Sequence, residues 1–397
     1  MPEQTDALRG IPFSCDKLKF VSDIKQDVLL SDGVKDSVDS WTDDISDDEM
    51  FSDTVSRYAK SVRVRIAMIV LLIVVALFAA IYSIQSGPLC GDMIQTIQIL
   101  WDYMLGQADL DDSVVHWTLY ATPPVLGALL GGAGLAICGA VMQSVLRNPM
   151  ADPYTTGISS GASFGAALAI ASGSILVQIP SLTVLLAFAF SMIPVLVILL
   201  ISKMTNASPI TIIMTGIGIM YVFNAATSII RLVAGGTAMS ALDNWLMGDV
   251  QLVQWNDLPV MAVITVIGVI VSMYLASRIN VLSTGDENAK AMGINADKLR
   301  IICLILTAVV SAGIISFTGL IGFVGLVCPH IIRMFIGADN RYLIPASAAF
   351  GSALMVVAHL VGKMVIAPTL VPVGIIMACV GGPVFIWLVI RKNKSTW

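Results

Sequence analysis

Long apolar runs separated by short polar stretches set the pattern of this chain. Ten runs stand out: about Val64–Ile84, Thr118–Ser144, Tyr154–Ser172, Ser181–Ile201, Pro209–Ile230, Leu258–Ser277, Ala296–Ser316, Leu320–Ile336, Tyr342–Val365 and Val371–Ile390. Most approach the roughly 20 residues a helix needs to cross the hydrocarbon core of a bilayer. The pattern predicts an all-α polytopic membrane protein with ten transmembrane helices. Between the first two runs, Met93, Ile97, Leu100, Trp101 and Met104 recur at helical spacing, which predicts an amphipathic helix lying at the membrane surface.

Composition supports this reading. The chain of 397 residues is 57% hydrophobic and 12% charged, about half the charge of a soluble domain. The net charge of −5 is unevenly spread, because residues 1–59 hold 14 acids against 6 bases. That acidic, aperiodic stretch reads as a disordered cytoplasmic tail preceding a ten-span membrane domain over residues 60–397. Of the 16 Lys and Arg from residue 60 onward, only Arg231 and Lys363 fall on the side that the ten-span count makes external. This asymmetry predicts both termini in the cytoplasm. Six scattered cysteines offer no metal-ligand or disulfide spacing, so no metal is expected.

Several chemistries are excluded or weakened. The chain has no G-x-x-x-x-G-K-[ST] phosphate loop, so it cannot hold ATP in that manner and is not expected to be an enzyme. No acid or base lies in the middle of a predicted span, which disfavours a carrier coupled to an ion gradient. A membrane receptor or scaffold that uses the acidic tail is the other alternative. Cys328, Pro329 and His330 invite a haem-ligand reading, but their place near the end of a span favours a structural role. His359 reads as a packing residue within its span.

Two polar segments stand out from the apolar background. The first, Arg147-Asn148-Pro149 with Asp152 and Pro153, joins two glycine-studded runs in which Gly127 and Gly131, and then Gly157, Gly161 and Gly165, are four apart. That spacing suits close backbone packing between membrane helices; the polar residues suit a tight turn. The second, Gly285–Arg300, reads as a short capped helix. Asp286 and Glu287 complement its N-terminus, Lys290 follows Asp286 by four, and Gly293 suits its C-terminal end.

Four blocks resemble the FecCD-type permeases, the membrane subunits of ATP-binding-cassette (ABC) importers for iron-siderophores, haem and vitamin B12. They are GAVMQSVLRNPMADPYTTGISSGASFGAALA, GDENAKAMGINADKLR, GLIGFVGLVCPHIIRMFIGADNRYLIPASAAFG and VPVGIIMACVGGPVFIWLVIR, in family order over most of residues 60–391. The resemblance implies a vitamin-B12-permease-like fold in the cell membrane and a second permease copy as partner. It also implies two ATP-binding subunits, which would use ATP and Mg, and an extracytoplasmic substrate-binding protein. No cofactor is implied on this chain and no nucleic-acid partner. Gly285, Asp286, Glu287, Lys290, Ala291 and Gly293 would form the ATPase-coupling loop. The hairpin of Arg147, Asn148, Pro149, Asp152 and Pro153 is first a structural turn and second an ATPase contact. Asn206, Ala207 and Ser208 match an inner gate at the dimer axis, and Lys363 an outer docking position. The relatives' outer Arg-Leu-Pro-Arg run is replaced by Ala121, Thr122, Pro123 and Pro124. Trp245 and Trp255 are left as apolar docking candidates.

Overall fold

A computed structural model describes residues 47–87, 92–172, 180–204, 208–367 and 369–392. The expected tail over residues 1–46 and the gate residues Asn206 and Ala207 lie outside these residues. The described part is helical: α1 (Asp47–Gln85), α2 (Met93–Met104), α3 (Ser113–Val145), α4 (Ile158–Ala171), α5 (Pro180–Met204), α6 (Pro209–Val233) and α7 (Gly236–Met247). After a 3-10 turn at Val250–Leu252 come α8 (Leu258–Ser283), α9 (Asp286–Ala291), α10 (Ala296–Thr318), α11 (Val324–Ile336), α12 (Asn340–Val365) and α13 (Val373–Lys392). Among the described residues seven helices are long and apolar enough to cross a bilayer, and three shorter apolar helices coincide with the expected spans at 154–172, 320–336 and 371–390. Helix α1 starts at Asp47, so residues 47–59, which composition assigned to the tail, are helical. The amphipathic stretch after it forms α2 as its periodicity predicts. Helix α7 and the 3-10 turn lie between the expected spans at 209–230 and 258–277, and in them Leu242, Trp245 and Val250 are buried.

Helix α3 is the axis of the membrane unit that begins at Arg65. It packs against α8, α10, α11 and α12, and 78% of its apolar window is buried, against 17% for α6. Lipid offers no hydrophobic gain for pairing apolar helices, so close van der Waals contact between backbones has to hold them. Glycines permit that contact at two crossings. A Cβ on Gly132 would lie 2.2 Å from the Gly351 carbonyl oxygen of α12, and one on Gly139 would lie 1.6 Å from the Gly325 carbonyl oxygen of α11. The glycines singled out by spacing behave unevenly. Gly161 and Gly165 abut the α5 backbone, Gly127 meets only the Val253 side chain, and Gly131 has ordinary clearance, its nearest neighbour being 3.4 Å away. Gly157 serves instead as a left-handed N-cap of α4, with φ 79°.

Two prolines inside α3, Pro123 and Pro124, withdraw the donors that the Leu119 and Tyr120 carbonyls need. Trp255 supplies one replacement, its indole N–H donating to the Leu119 oxygen at 3.0 Å. Trp255 is therefore tied to the helix ladder, and Trp245 is buried at 6% exposure, so neither is the free apolar docking residue suggested by the sequence. Ala121, Thr122, Pro123 and Pro124 are likewise buried in α3.

Gly139→Ala is expected to force α3 and α11 apart and to cost about 1–3 kcal/mol, the usual range for overpacking. Gly131→Ala should change stability by less than about 0.5 kcal/mol. Thermal unfolding of the detergent-solubilised protein checks both, and equal melting temperatures would contradict the assignment of the crossing to Gly139.

Candidate functional site

The loops 146–157, 284–295 and 337–339 meet at one end of the bundle, where most of the sequence-predicted site residues gather. At 284–295 the chain forms a compact knob. Gly285, with φ 131°, caps α9, and Asp286 and Glu287 occupy the first turn, where acids complement the helix dipole. The helix closes in a Schellman motif. The Ile294 N–H donates to the Ala289 carbonyl at 2.8 Å, and the N–H of left-handed Gly293 to the Lys290 carbonyl at 2.9 Å. Ala289 is fully buried, with Ile294 packed beside it in the same cluster as Leu282 and Leu299, so the knob is anchored from below. Asn295 then starts α10, its side-chain oxygen accepting from Lys298 N at 3.0 Å. Glu287, Lys290, Ala291 and Gly293 face outward, and Met292, 68% exposed, stands at the tip.

Asp286 does not pair with Lys290 among the described residues. Its Oδ1 accepts from Arg300 Nη2 at 2.8 Å and from Arg147 Nη2 at 3.2 Å. Arg300 is fully buried, and its Nη1 also approaches Asp297 at 3.4 Å. Removing one partner from a buried ion pair leaves an uncompensated charge and costs far more than the pair contributes. Asp286 is thus an internal strut of the knob, one-third exposed, rather than an outward contact. Arg300 escaped the sequence reading, where it was only the last residue of a matching block. The only signal for it was a second cation, after Lys298, in the first turns of a helix that is apolar beyond them.

Arg147 belongs to the 146–157 hairpin that follows α3. Leu146 is the C-cap, and the Asn148 N–H returns to the Gln143 carbonyl at 3.2 Å. Arg147 therefore holds the position where a glycine usually sits, and it does so with φ 49°. A left-handed backbone costs a non-glycine residue roughly 1 kcal/mol. Asn148 turns the chain by accepting from Met150 N at 2.9 Å, and Pro149 follows at the bend. Asp152 and Pro153 are buried. The Asp152 carboxylate accepts from Thr155 N at 2.9 Å, and the Thr155 hydroxyl donates to the Asp152 carbonyl at 2.9 Å. Burial pushes the Asp152 carboxyl up to about 6, against hydrogen bonds from Thr155 and Tyr154 that favour the ion. The hairpin is thus a self-satisfied turn that exposes Arg147 and Met150.

A second network joins this end of α3 to its neighbours. Ser144 donates to Asn340 Oδ1 at 2.9 Å, and Asn340 donates from both its backbone and side-chain nitrogens to Asn280 Oδ1 at 2.8 Å. Asn280 in turn donates to Asp339 at 2.7 Å. Burial raises the Asp339 carboxyl, but bonds from Arg341 and Asn280 outweigh it and hold the group below the usual carboxylate range. Gln143 donates to the Leu326 carbonyl at 3.1 Å and accepts from Arg333 at 3.1 Å. Helices α3, α8, α11 and α12 are therefore linked by buried polar contacts where they reach the knob.

At the opposite end, Lys363 is half-buried and donates to the Ser83 carbonyl at 2.8 Å. It ties α12 to α1, so the residue expected at an outer docking position is already engaged within the bundle. Five of the aspartates at this end are also engaged. Asp109, Asp112, Asp249 and Asp257 accept from backbone N–H groups, and Asp243 pairs with Arg231. Ser208, the described part of the gate triplet, precedes Pro209 at the start of α6. Cys328 is buried and Pro329 lies inside α11. His330, two residues beyond Cys328, falls on the other side of the same helix, and adjacent helical positions do not converge on one metal.

The FecCD transport family model matches residues 72–391, spanning the knob, the hairpin and both glycine crossings. The chain belongs to the FecCD transport family. The hemin transport system permease protein of Yersinia pestis is 31% identical over 337 residues, covering 83% of this chain and 96% of that protein. The cobalamin import system permease protein of Halobacterium salinarum is 38% identical over 280 residues, 69% of this chain and 73% of that one. Among solved structures, an inward-facing conformation of an ABC transporter assigned to the metal-chelate type matches with a TM-score of 0.72 and 26% identity, covering 82% of this chain and 99% of that chain. The all-helical fold read from the sequence is thereby established, and the family to which the chain belongs is one of membrane permease subunits.

Asp152→Asn is expected to keep the acceptor for Thr155 N while removing a buried charge. Because burial raises the folded-state value from 3.8 to about 6, the wild type carries extra stability below about pH 4 that is lost as pH rises through 6. At neutral pH the ionised form costs up to about 3 kcal/mol. The variant should flatten the dependence of melting temperature on pH between 4 and 6 and be at least as stable at pH 7. A wild-type melting temperature that rises across this window would contradict the buried-carboxyl account.

Proposed function

We propose that this chain is the membrane-spanning subunit of an ABC importer, working as one of two permease copies. It moves a metal chelate or a cobalamin inward on energy from separate ATP-binding subunits. The observation that carries this reading is the knob, a rigid protrusion anchored by Ala289, closed at Gly293, tipped by exposed Met292 and braced to two helices through Asp286. A protein without its own nucleotide site needs such a rigid contact to receive work from a partner. The ten-span count, both termini in the cytoplasm and the knob on the cytoplasmic face follow from the Lys/Arg asymmetry. The cargo class is suggested by the relatives named for hemin and cobalamin.

Helix α6 supports the second copy. Met214, Gly218, Tyr221, Ala225, Ser228 and Leu232, alternately three and four apart, are all exposed, with Asn224 beside them. Gly218, Ala225, Ser228 and Asn224 make part of this face small or polar, which suits helix pairing or a hydrated path better than lipid. Asn206, Ala207 and Ser208 at its start would form the inner gate of the paired copies. The hairpin's exposed Arg147 and Met150 extend the ATPase contact, while Asn148, Pro149, Asp152 and Pro153 shape it. An extracytoplasmic binding protein would dock on the opposite end. With Lys363 occupied and Asp92, Asp102, Asp109 and Asp111 exposed there, that partner is expected to present basic or neutral docking patches. Such rim charges set mainly the association rate and its salt dependence. A gradient-driven carrier is disfavoured because the fully buried cation Arg300 stands beside the knob with its carboxylates, not at membrane depth.

The test is reconstitution with the ATP-binding subunit and the binding protein, offering haemin, ferric citrate and cobalamin in turn. One of them should stimulate ATP hydrolysis and accumulate inside the vesicles; accumulation driven by an ion gradient without ATP would overturn the reading. Met292→Asp should fold normally yet weaken ATPase association by about 2 kcal/mol, roughly 30-fold, the worth of one buried methionine. Undiminished co-purification of the ATP-binding subunit would remove the knob from the interface. Asp286→Lys is unsuitable for this purpose, since it would set a third cation against Arg147 and the buried Arg300.

A further inference from the structure

Two unusual arginines converge on one carboxylate oxygen. Arg300 is fully buried at the start of α10, and Arg147 holds a left-handed backbone at the end of α3 where glycine would be unstrained. Neither feature is needed for a stable turn. The Schellman bond from Asn148 to Gln143 closes α3 whatever side chain stands at 147. Strained residues that persist point toward a role beyond local stability. The Arg147 guanidinium also lies over the knob's hinge, since a Cβ on Gly285 would be 3.6 Å from its Nη1.

We infer that Arg147 and Arg300 are positioning residues that act through Asp286, joining the knob to α3 and α10 so that displacement of the knob moves both helices as one body. This rests on the coupling role proposed above and adds the route by which motion enters the membrane. Through Asp286 the knob reaches α3, and through Ser144 and Gln143 at the end of α3 it reaches α8, α11 and α12. The Arg147 bond is the outer and weaker half of the joint, being 40% exposed on the arginine side. It is therefore the half that can be removed without burying an unpaired charge.

Arg147→Gly separates positioning from structure. Glycine removes the strain together with the guanidinium, so the variant should melt at the same temperature as the wild type or higher. Spin labels at Ala291 and Met150, both exposed, report the knob-to-hairpin distance in the complex with its ATP-binding subunits. The wild type should give one narrow distance distribution that is the same without nucleotide, with ATP and with trapped ADP-vanadate. Arg147→Gly, and Arg147→Asn as a second variant that tolerates the left-handed backbone and leaves the buried Arg300–Asp286 pair intact, should broaden it and make it shift with nucleotide. Where a cargo is transported, molecules moved per ATP should fall several-fold in both variants, with Arg147→Lys recovering part of the loss. A wild-type distance that shifts with nucleotide overturns the joint, as does an Arg147→Gly distribution as narrow as wild type. Failure of the coupling role itself shows elsewhere, as unimpaired ATPase association in Met292→Asp.

Discussion

Everything in this molecule hangs on how closely other backbones approach α3. In lipid, apolar side chains gain nothing by leaving one hydrocarbon for another, so the bundle is held by dispersion between surfaces that fit. Gly132 against Gly351 and Gly139 against Gly325 bring carbonyls to distances that any side chain would forbid. Once those crossings are set, α11 and α12 have one place to sit. The polar ends of four helices then fall together, where Ser144, Asn340 and Asn280 bond in a chain and Gln143 bonds to the Leu326 carbonyl and Arg333. The irregular backbone around Gly319 and Phe323, both with positive φ, is tolerated because Gly319 packs on the Trp245–Gly248 backbone and Phe323 against Gly381 of α13.

The knob end combines rigid and adjustable elements. The knob's shape is set by backbone hydrogen bonds and by Ala289 beneath it, neither of which salt or modest pH change disturbs. Beyond the apolar anchor at Ala289, its side-chain ties to α3 and α10 are electrostatic. One half of that attachment is buried and costly to break; the other faces solvent and is open to screening. A protrusion that keeps its form while its tether is tunable suits a part that receives force from elsewhere.

Much of this was legible in the sequence, for stated reasons. Membrane spans announce themselves by length and hydropathy, and the amphipathic α2 by its period. The turn at Gly293 was readable because a helix end in the left-handed region favours glycine whatever its surroundings. What escaped was tertiary. Spacing singled out Gly127 and Gly131, yet Gly132 and Gly139 make the crossings, because the face that matters depends on where α11 and α12 lie. Asp286 sits four residues before Lys290, and the local pairing rule pointed there. Two arginines, distant in sequence, were better placed. The tie that engages Lys363, the outer docking position, was hidden because nothing local reveals that Ser83 lies opposite. Trp255 read as a free aromatic because the carbonyl left open by Pro123 can be matched to it only in three dimensions.

The burial of α3 bears on how the protein is made. Helices leave the ribosome and enter the bilayer in chain order, so α3 is inserted long before α8, α10, α11 and α12 exist. Its most extensive neighbour is α12, nearly the last helix to emerge. For most of synthesis the central helix therefore waits in lipid with Gly132 and Gly139 uncovered, presenting grooves that any passing helix could occupy. The permease can complete its native arrangement only as translation ends, so its least finished surface during synthesis lies on an early helix rather than at the growing end.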